Sequence, residues 1–230
     1  MLVRSWNLFH GNADPPRRRG YLREMLALAT ADRPDVLCLQ ELPVWALRRL
    51  EAWTGLTAFT AVARPPLWPG PISTWVTRAH QGLLRSALAG QANAILVGAE
   101  HAAEDLGHER IADHRRERRV VQAVRVAARL VVANLHASKE REGREVVLAE
   151  IERARAFAEA LAAAGEPVVL AGDFNLQALA LPGYSAPGPG IDHVLVKGAP
   201  AAGVLVWPRE RRLREGVVLS DHAPVEVVVG

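Results

Sequence analysis

Short apolar segments recur along almost the whole chain, and they limit its possible folds more than any other feature. Their pattern predicts strands at residues 1–9, 35–41, 72–76, 92–97, 120–126, 130–135, 168–171, 192–196, 203–206 and 225–229. Apolar runs of this length, bounded by turn-forming residues, are typical of buried β-strands. Strands are therefore expected to supply most of the hydrophobic core.

Helices are predicted at three places only, residues 22–31, 44–53 and 143–164. The third has the clearest pattern, because apolar residues recur at helical spacing from Val147 to Leu161 and Gly165 follows, with Pro167 just beyond. The strands outnumber the helices and do not alternate strictly with them. This order predicts a mixed α/β sandwich and not a doubly wound parallel sheet.

Length and composition indicate a globular protein, expected to form a single domain over residues 1–230 because no repeat or long linker divides it. The apolar half of the chain excludes wholesale disorder, and the single cysteine, Cys38, excludes an internal disulfide and a multi-cysteine zinc site. No apolar run reaches the roughly 18–20 residues that cross a bilayer. The first residues also lack a signal-peptide pattern. We expect a cytoplasmic monomer without stable membrane insertion.

Basic residues number 28, and all but Lys139 and Lys197 are arginine. Arginine binds phosphate with two parallel hydrogen bonds, so a phosphate-bearing partner is compatible with this composition, although a general preference for arginine explains it as well. Mixed-charge runs at residues 108–119 and 209–215 are typical of solvated loops. Four arginines of the first run lead into a predicted strand and are candidates for contacting nucleic-acid phosphates: Arg115, Arg116, Arg118 and Arg119.

Six predicted strand ends carry side chains that can bind a metal ion, a proton or a phosphate. They are Asn7, Glu41, His136, the pair Asp173 and Asn175, Asp192, and the pair Asp221 and His222. Each alone has an ordinary explanation, since Asp and Asn are common turn residues and a lone histidine is often a hydrogen-bonded core residue. Six independent turns would not all select oxygen or imidazole ligands, so the pattern as a whole predicts a functional site.

The motifs at these positions also occur in a recognisable order. They are Ser-Trp-Asn-Leu-Phe-His-Gly at 5–11, Leu-Gln-Glu at 39–41, Gln-Ala-Asn-Ala-Ile-Leu at 91–96, Asn-Leu-His at 134–136, Gly-Asp-Phe-Asn at 172–175, Asp-His-Val-Leu at 192–195 and Ser-Asp-His at 220–222. From residue 5 to residue 225 the chain resembles the endonuclease/exonuclease/phosphatase superfamily, the deoxyribonuclease-like phosphoesterases. The resemblance implies a four-layer α/β sandwich, two packed mixed β-sheets flanked by helices, with the active site at one rim.

The resemblance implies a metal site for Mg²⁺ or Mn²⁺. Glu41 matches the main carboxylate ligand, with Asn7 and Asp221 beside it. A sparse set of protein ligands suits magnesium, which keeps several waters and binds substrate phosphate oxygens.

The resemblance also implies catalytic roles. His222 would be the general base, oriented by Asp192, while Asp173 and Asn175 would orient the attacking water and bind phosphoryl oxygens. The sequence leaves open whether Asp173 or His222 takes the proton. His136 would contact the leaving oxygen, and Asn93, with His136 and Asn175, would contact the substrate.

The chain departs from the family pattern at specific points. Secreted deoxyribonucleases carry a carboxylate to orient the histidine that matches His136, whereas the corresponding segment here offers Gln91 and Asn93. Disulfides are absent. Leu42 and Pro43 follow Glu41 where abasic-site endonucleases have Thr-Lys.

These features predict a metal-dependent phosphodiesterase, a nuclease acting on DNA or RNA. The alternative is a phosphatase or phospholipase C type enzyme that acts on inositol phosphates or sphingomyelin, and a third class is a non-catalytic binding module. A two-metal calcineurin-like enzyme is excluded, because the sequence has neither Gly-Asn-His nor His-x-His. Residues 65–75, rich in proline and tryptophan, either anchor an irregular loop or contact bases or a membrane.

Overall fold

The computed structural model of the chain describes residues 1–17, 19–68, 71–79, 88–112, 118–177, 179–185 and 187–230, without the side chains of 76–79. In this part of the chain, two large mixed β-sheets form the body of the protein. No helix in these ranges is both long enough and apolar enough to span a membrane.

The first sheet contains six strands, and its centre carries two predicted site residues. Its order is β11 (Ala201–Val206), β14 (Val225–Val229), β1 (Leu2–Asn7), β3 (Val36–Leu42), β5 (Gln91–Val97) and β4 (Thr57–Arg64). Strands β1 and β3 are parallel, with Asn7 opposite Gln40. This register brings Asn7 and Glu41 to the same edge of the sheet.

The second sheet contains five strands and carries the other main group of site residues. Its order is β10 (Asp192–Lys197), β9 (Val168–Asp173), β8 (Leu130–His136), β7 (Val120–Val126) and β6 (Ala103–Arg110). Asp173 lies opposite His136 on one side and Asp192 on the other. A small third sheet joins β12 (Leu213–Arg214), β13 (Val217–Leu219) and β2 (Ala13–Asp14).

The two large sheets pack face to face, and helices cover their outer faces. Aliphatic side chains from both sheets form one buried cluster between them. Helices α1 (Leu22–Thr30) and α2 (Leu50–Thr54) pack on the first sheet, and α4 (Arg144–Leu161) packs on the second. The order helix, sheet, sheet, helix confirms the predicted four-layer α/β sandwich.

The structure corrects some predicted elements. Residues 72–76 are not a strand but part of helix α3 (Pro71–Ala79), because proline is well tolerated in the first turn of a helix and the segment is amphipathic at helical spacing. The predicted helix at 44–53 is a 3₁₀ segment (Val44–Arg49) followed by α2. Strands β4 and β6 were not predicted, and both are edge strands. β6 consists mostly of polar residues, and three of the five apolar residues of β4 are alanine, which is uncommon in strands.

Candidate active site

The close pairing of β8 and β9 brings His136 and Asp173 to the same rim. Gly172, just before Asp173, has φ 147°, and a Cβ atom at this position would lie 1.9 Å from the carbonyl oxygen of Leu135. Only glycine permits this approach of the two backbones. The glycine of the Gly-Asp-Phe-Asn motif therefore has a structural purpose, which is to place the following carboxylate beside the histidine of the neighbouring strand.

Asp173 lies at the centre of the site and is almost fully buried. Its carboxylate accepts hydrogen bonds from the Asn7 side-chain amide and the Asn175 backbone N–H, both at 2.9 Å. Its Oδ2 lies 3.5 Å from Nε2 of His136 and 3.9 Å from Nε2 of His222. Burial, followed by the charge of Asp192, raises the pKa of Asp173 above its ordinary value. The site is thus built around one carboxylate shared by two imidazoles.

His222 forms a pair with Asp192, whose Oδ2 lies 2.8 Å from His222 Nδ1. This contact fixes the orientation of the ring and leaves Nε2 facing Asp173. Burial lowers the pKa of His222, but the Asp192 hydrogen bond and the surrounding carboxylates outweigh it and raise the pKa to about 10. The imidazole is therefore more basic in this structure than the near-neutral group that the sequence suggested.

Three residues hold the backbone of the Ser-Asp-His motif in place. Arg212, which is buried, donates from Nη1 to the carbonyl oxygens of Leu219, Ser220 and His222 at 3.0–3.1 Å. Trp6 donates from Nε1 to the same His222 carbonyl at 3.0 Å. The Ser220 hydroxyl donates to the backbone carbonyl of Asn7 at 2.7 Å, tying the motif to β1.

Glu41 and Asp221 provide the carboxylates for the predicted metal site. The Glu41 oxygens lie 3.7 Å from His10 Nε2 and 3.8 Å from His136 Nε2. Burial, together with the like charge of Glu41, raises the pKa of Asp221 although His222 opposes the shift. The amide oxygen of Asn7 accepts the Phe9 N–H at 3.0 Å. Because a carbonyl oxygen has two lone pairs, it retains the capacity to bind a cation.

His136 has orienting partners that the sequence did not reveal. The Gln91 amide nitrogen lies 3.0 Å from His136 Nδ1, and Arg119 Nη1 lies 2.8 Å from Nε2. Arg119 Nη1 also lies 3.0 Å from Nδ1. Burial and then Arg119 hold the pKa of His136 well below its usual range. The ring is therefore neutral, so one of its nitrogens accepts a hydrogen bond and the other carries a proton.

This contact corrects the expectation that Arg119 belongs to a solvated loop, since its side chain is buried against the site. The signal that could have identified it is its position directly before the apolar strand β7. Arg118 is exposed, as predicted for the loop, whereas Arg115 and Arg116 lie outside the described residues.

The two remaining predicted substrate contacts differ in position. Asn175 follows Asp173 and donates from its side chain to the Ala137 carbonyl at 2.9 Å, which leaves a second amide N–H for another acceptor. Asn93 is buried and donates to the Val120 carbonyl at 3.1 Å, a contact that ties β5 to β7. Its role toward substrate stays a prediction.

Five of the nine non-glycine residues with left-handed backbone in the described ranges lie around the rim. They are Glu41 (φ 53°), Asn175 (φ 51°) and Ser220 (φ 62°), with Phe9 and His10 next to Asn7. Such conformations cost of order 1–3 kcal/mol each and are retained where the structure uses them, as at functional sites. The strain supports the assignment of this rim as the functional site.

Acidic and histidine side chains of the site can also hold a metal ion. Potential ligand atoms of Asp173, Asp192 and His222 all lie within 4.8 Å of one another. Another such group within the described ranges, Asp35, Glu100 and His101, lies at the other end of β3. The site therefore offers two sets of oxygen and imidazole ligands, this triad and the predicted Glu41, Asn7 and Asp221.

Several solved structures share this fold. A mannosyl-6-phosphatase from Bacteroides thetaiotaomicron VPI-5482 has a TM-score of 0.67 at 16% identity, covering 100% of this chain and 99% of that one. TDP2 from C. elegans has a TM-score of 0.67 at 17% identity (99% and 74% covered). An endonuclease/exonuclease/phosphatase protein from Beutenbergia cavernae DSM 12333 has a TM-score of 0.68 at 16% identity (100% and 72%). These similarities establish the fold alone. Among curated proteins, none is similar enough in sequence to count as a match.

Sequence comparison with protein families agrees with the geometry of the rim. The model of the Endonuclease/Exonuclease/phosphatase family matches residues 5–222. The match begins at Ser5 in β1 and ends at His222, which pairs with Asp192. That range includes every predicted site residue. The chain belongs to the Endonuclease/Exonuclease/phosphatase family, whose members are hydrolases that act on phosphoester bonds.

Proposed function

We propose that this protein is a metal-dependent phosphodiesterase that acts as a nuclease. One observation supports this most directly: Asp173 Oδ2 lies within 4 Å of the Nε2 atoms of both His136 and His222. Hydrolysis of a phosphodiester needs one group that takes a proton from water and others that stabilise charge on phosphorus and the leaving oxygen. The two imidazoles and the carboxylate between them supply groups of these kinds.

The residues fit a divalent metal ion at Glu41, Asp221 and Asn7. Burial and the like charge of Glu41 raise the pKa of Asp221, and a cation between such carboxylates would remove that repulsion. Hard oxygen ligands of this kind suit Mg²⁺ or Mn²⁺. When bound, the ion would supply Lewis-acid stabilisation of the phosphoryl oxygens.

The remaining side chains have distinct roles in the proposal. Asp192 holds the ring of His222 with Nε2 toward the reacting water. The Asp173 carboxylate takes the proton, or Nε2 of His222 does where that imidazole is neutral. Asn175 offers its second amide N–H to a phosphoryl oxygen. Arg119 adds a buried positive charge beside His136. A guanidinium at this position suits the anionic phosphate and keeps His136 neutral.

The proposed substrate is DNA or RNA, because the arginine-rich composition favours a polyanionic partner whose affinity comes largely from phosphate contacts. The test compares plasmid DNA, single-stranded DNA, RNA, bis-p-nitrophenyl phosphate and sphingomyelin with Mg²⁺ or Mn²⁺. Hydrolysis of sphingomyelin or inositol phosphates without nucleic-acid cleavage would replace the nuclease by the phospholipase or phosphatase alternative. Inactivity on every phosphoester would favour a binding module.

Metal dependence is tested separately. Excess chelator is expected to abolish hydrolysis of bis-p-nitrophenyl phosphate, and Glu41→Gln is expected to require far more Mg²⁺ for half-maximal rate. Glu104→Gln is the matched control, since this exposed carboxylate pairs with Arg125 at the other end of the second sheet. Full turnover in excess chelator would contradict the metal-dependent proposal.

A further inference from the structure

A groove next to the active site combines tryptophan and arginine side chains. It has a volume of about 630 Å³, within the range of small-ligand sites, and runs between helix α1 and the segment that contains α2. We name it the Trp/Arg groove after the residues that define it: His10, Arg19, Arg23, Trp45, Arg49 and Trp53.

The aromatic part of the groove consists of two half-buried indole rings. Trp45 and Trp53 meet edge to face, with ring centroids 6.1 Å apart. The guanidinium of Arg49 lies 5.7 Å from the Trp45 centroid and 5.8 Å from the Trp53 centroid. Arg23 lies 5.8 Å from the Trp53 centroid. Flat rings next to guanidinium groups offer stacking surfaces and phosphate donors within one site.

The arginines of the groove differ in whether a carboxylate pairs with them. Arg19 forms ion pairs with Glu24 and Glu215, which neutralise it. Arg23 and Arg49 are exposed, and within the described part of the chain neither forms an ion pair with a carboxylate. Their contacts with the indole rings leave the guanidinium N–H groups able to bind an anion, and arginine binds phosphate well. The groove therefore carries a net positive charge suited to phosphate.

The groove is also connected to the proposed metal site. His10 lines it, and the Nε2 atom of His10 lies 3.7 Å from Oε2 of Glu41. Trp45 is four residues after Glu41 in the chain, at the second position of the 3₁₀ segment that begins at Val44. The side chain of His10 thus lies between Glu41 and the groove, so a phosphate at Glu41 is one side chain away from it.

We propose that the Trp/Arg groove binds a single-stranded segment of nucleic acid that continues from the phosphate at the active site, an inference that rests on the proposed nuclease function. Arg23 and Arg49 contact backbone phosphates, and a base stacks on the indole of Trp53. A duplex does not fit this role, because its base faces are already covered by neighbouring bases, whereas unpaired bases are free to stack on aromatic side chains.

The test uses steady-state cleavage of four substrates: a single-stranded oligodeoxynucleotide, the same oligomer with abasic sugars beside the cleavage position, a fully paired duplex of the same sequence, and bis-p-nitrophenyl phosphate. The variants are the double substitution Arg23→Glu with Arg49→Glu, and Trp53→Leu, which keeps apolar volume under the groove. Arg129→Glu is the matched control, because Arg129 is an exposed arginine in the turn before β8, at the opposite end of that strand from His136. Thermal unfolding of each variant verifies its fold.

The double variant is expected to raise KM for both single-stranded oligomers about tenfold or more through lost phosphate contacts. Trp53→Leu is expected to raise KM about 5- to 100-fold for the oligomer with bases and to leave the abasic oligomer unchanged, because stacking alone is lost. Hydrolysis of bis-p-nitrophenyl phosphate is expected to stay within twofold of wild type in every variant, since this diester is too short to reach the groove.

Two negative results have different meanings. If the wild-type protein cleaves the oligomers and the groove variants behave like Arg129→Glu, the groove does not bind the strand and the nuclease function stands. If the wild-type protein hydrolyses only bis-p-nitrophenyl phosphate, the nuclease proposal is wrong and the groove inference is overturned with it. An equal rise in KM for a fully paired duplex would overturn the single-strand assignment.

Discussion

Two buried polar clusters lie along strand β1, and their charges are arranged in opposite ways. At Arg4 every charge has a partner: the guanidinium donates to both oxygens of Asp32 at 2.7 Å, to Glu226 at 2.7 Å and to the Ala29 carbonyl at 2.5 Å. It also lies 4.5 Å from the ring centroid of Trp207. The Arg4 guanidinium thus lies between two carboxylates and an indole, and the charges of this cluster are paired within the protein.

The cluster around Asn7 and Asp173, farther along the same strand, is not closed. Asp173, Asp192, Asp221 and Glu41 approach one another, and the charges of neighbouring carboxylates contribute to the raised pKa values of Asp173 and Asp221. One carboxylate oxygen of Asp192, Oδ1, is buried without a hydrogen-bond partner among the described residues. The excess of negative charge fits a site that receives a cation with its substrate.

Burial alone does not distinguish a polar cluster that stabilises the fold from one that serves function. Both clusters contain nearly inaccessible ionisable groups, and buried charges are costly unless they are paired. The Arg4 cluster is paired internally and is expected to act on stability. The Asp173 cluster retains like-charge repulsion and left-handed backbone, features that are kept where they serve function. Mutations should therefore affect different properties in the two clusters.

The largest expected effect is on activity, at His222 and Asp192. His222→Ala and Asp192→Asn are each expected to lower kcat/KM for bis-p-nitrophenyl phosphate by about 10³-fold or more, and the double variant by little more, because the two groups act as a unit. Strictly additive losses would refute the pairing. The free energy of unfolding of Asp192→Asn is expected to fall less than that of Arg4→Met, because the lost attraction to His222 is partly offset by the lost repulsion from Asp173.

The next effect is on stability, at Arg4. Arg4→Met is expected to lower the free energy of unfolding by about 3–5 kcal/mol, because it removes the buried cation that pairs closely with the buried carboxylate of Glu226. Arg144→Ala is the control for an exposed ion pair: Arg144 pairs with Glu140 at 2.9 Å, both side chains are about half exposed, and such pairs contribute about 1 kcal/mol or less. Denaturant unfolding measures both. Equal losses for the two variants would show that burial of Arg4 does not set its contribution.

The same cluster gives a pH dependence with a defined sign. The Arg4 hydrogen bond lowers the pKa of Asp32 below 3.8, against the effect of burial. A carboxyl whose folded pKa is lowered contributes stability above its unfolded pKa and loses it as the pH falls through the folded value. The difference in stability between wild type and Arg4→Met is therefore expected to shrink below about pH 4. A constant difference down to pH 2 would contradict the role assigned to Asp32.

Local sequence patterns predicted much of the fold and many of the residues that meet at the rim. Strand β7 has the predicted bounds, and the Gly-Asp-Phe-Asn and Ser-Asp-His motifs could be placed because their side chains directly follow or precede apolar strands. Helix α3 was misread as a strand, because tryptophan, threonine and valine favour strands and the pattern was short. Pro71 at the first helical position was the stronger signal, because proline is favoured there.

The partners of His136 could not be predicted, because they depend on which strands pair and on how the two sheets pack. Arg119 directly precedes β7, which pairs with β8, the strand of His136. Gln91 begins β5 of the other sheet, and only the packing of the two sheets brings it to the imidazole. The same limit applies to the Trp/Arg groove, since Arg23 and Arg49 belong to separate helical segments. Local patterns identify which side chains lie at strand ends, whereas the assembled sheets decide which of them meet.

The smallest expected effect on kcat/KM concerns the Gln91 contact. It tests whether the His136 ring needs a hydrogen bond from residue 91 to hold its orientation. Gln91→Leu keeps the size of the side chain and removes its hydrogen bond to His136 Nδ1, so kcat/KM is expected to fall about 2- to 10-fold, the equivalent of one hydrogen bond. Gln91→Glu is expected to retain more activity, because a carboxylate accepts from an Nδ1–H and holds the ring by the reverse hydrogen bond. Steady-state rates on bis-p-nitrophenyl phosphate measure both variants. If Gln91→Glu loses as much as Gln91→Leu, Arg119 alone orients the imidazole, and the departure from a carboxylate at this position has no effect on catalysis.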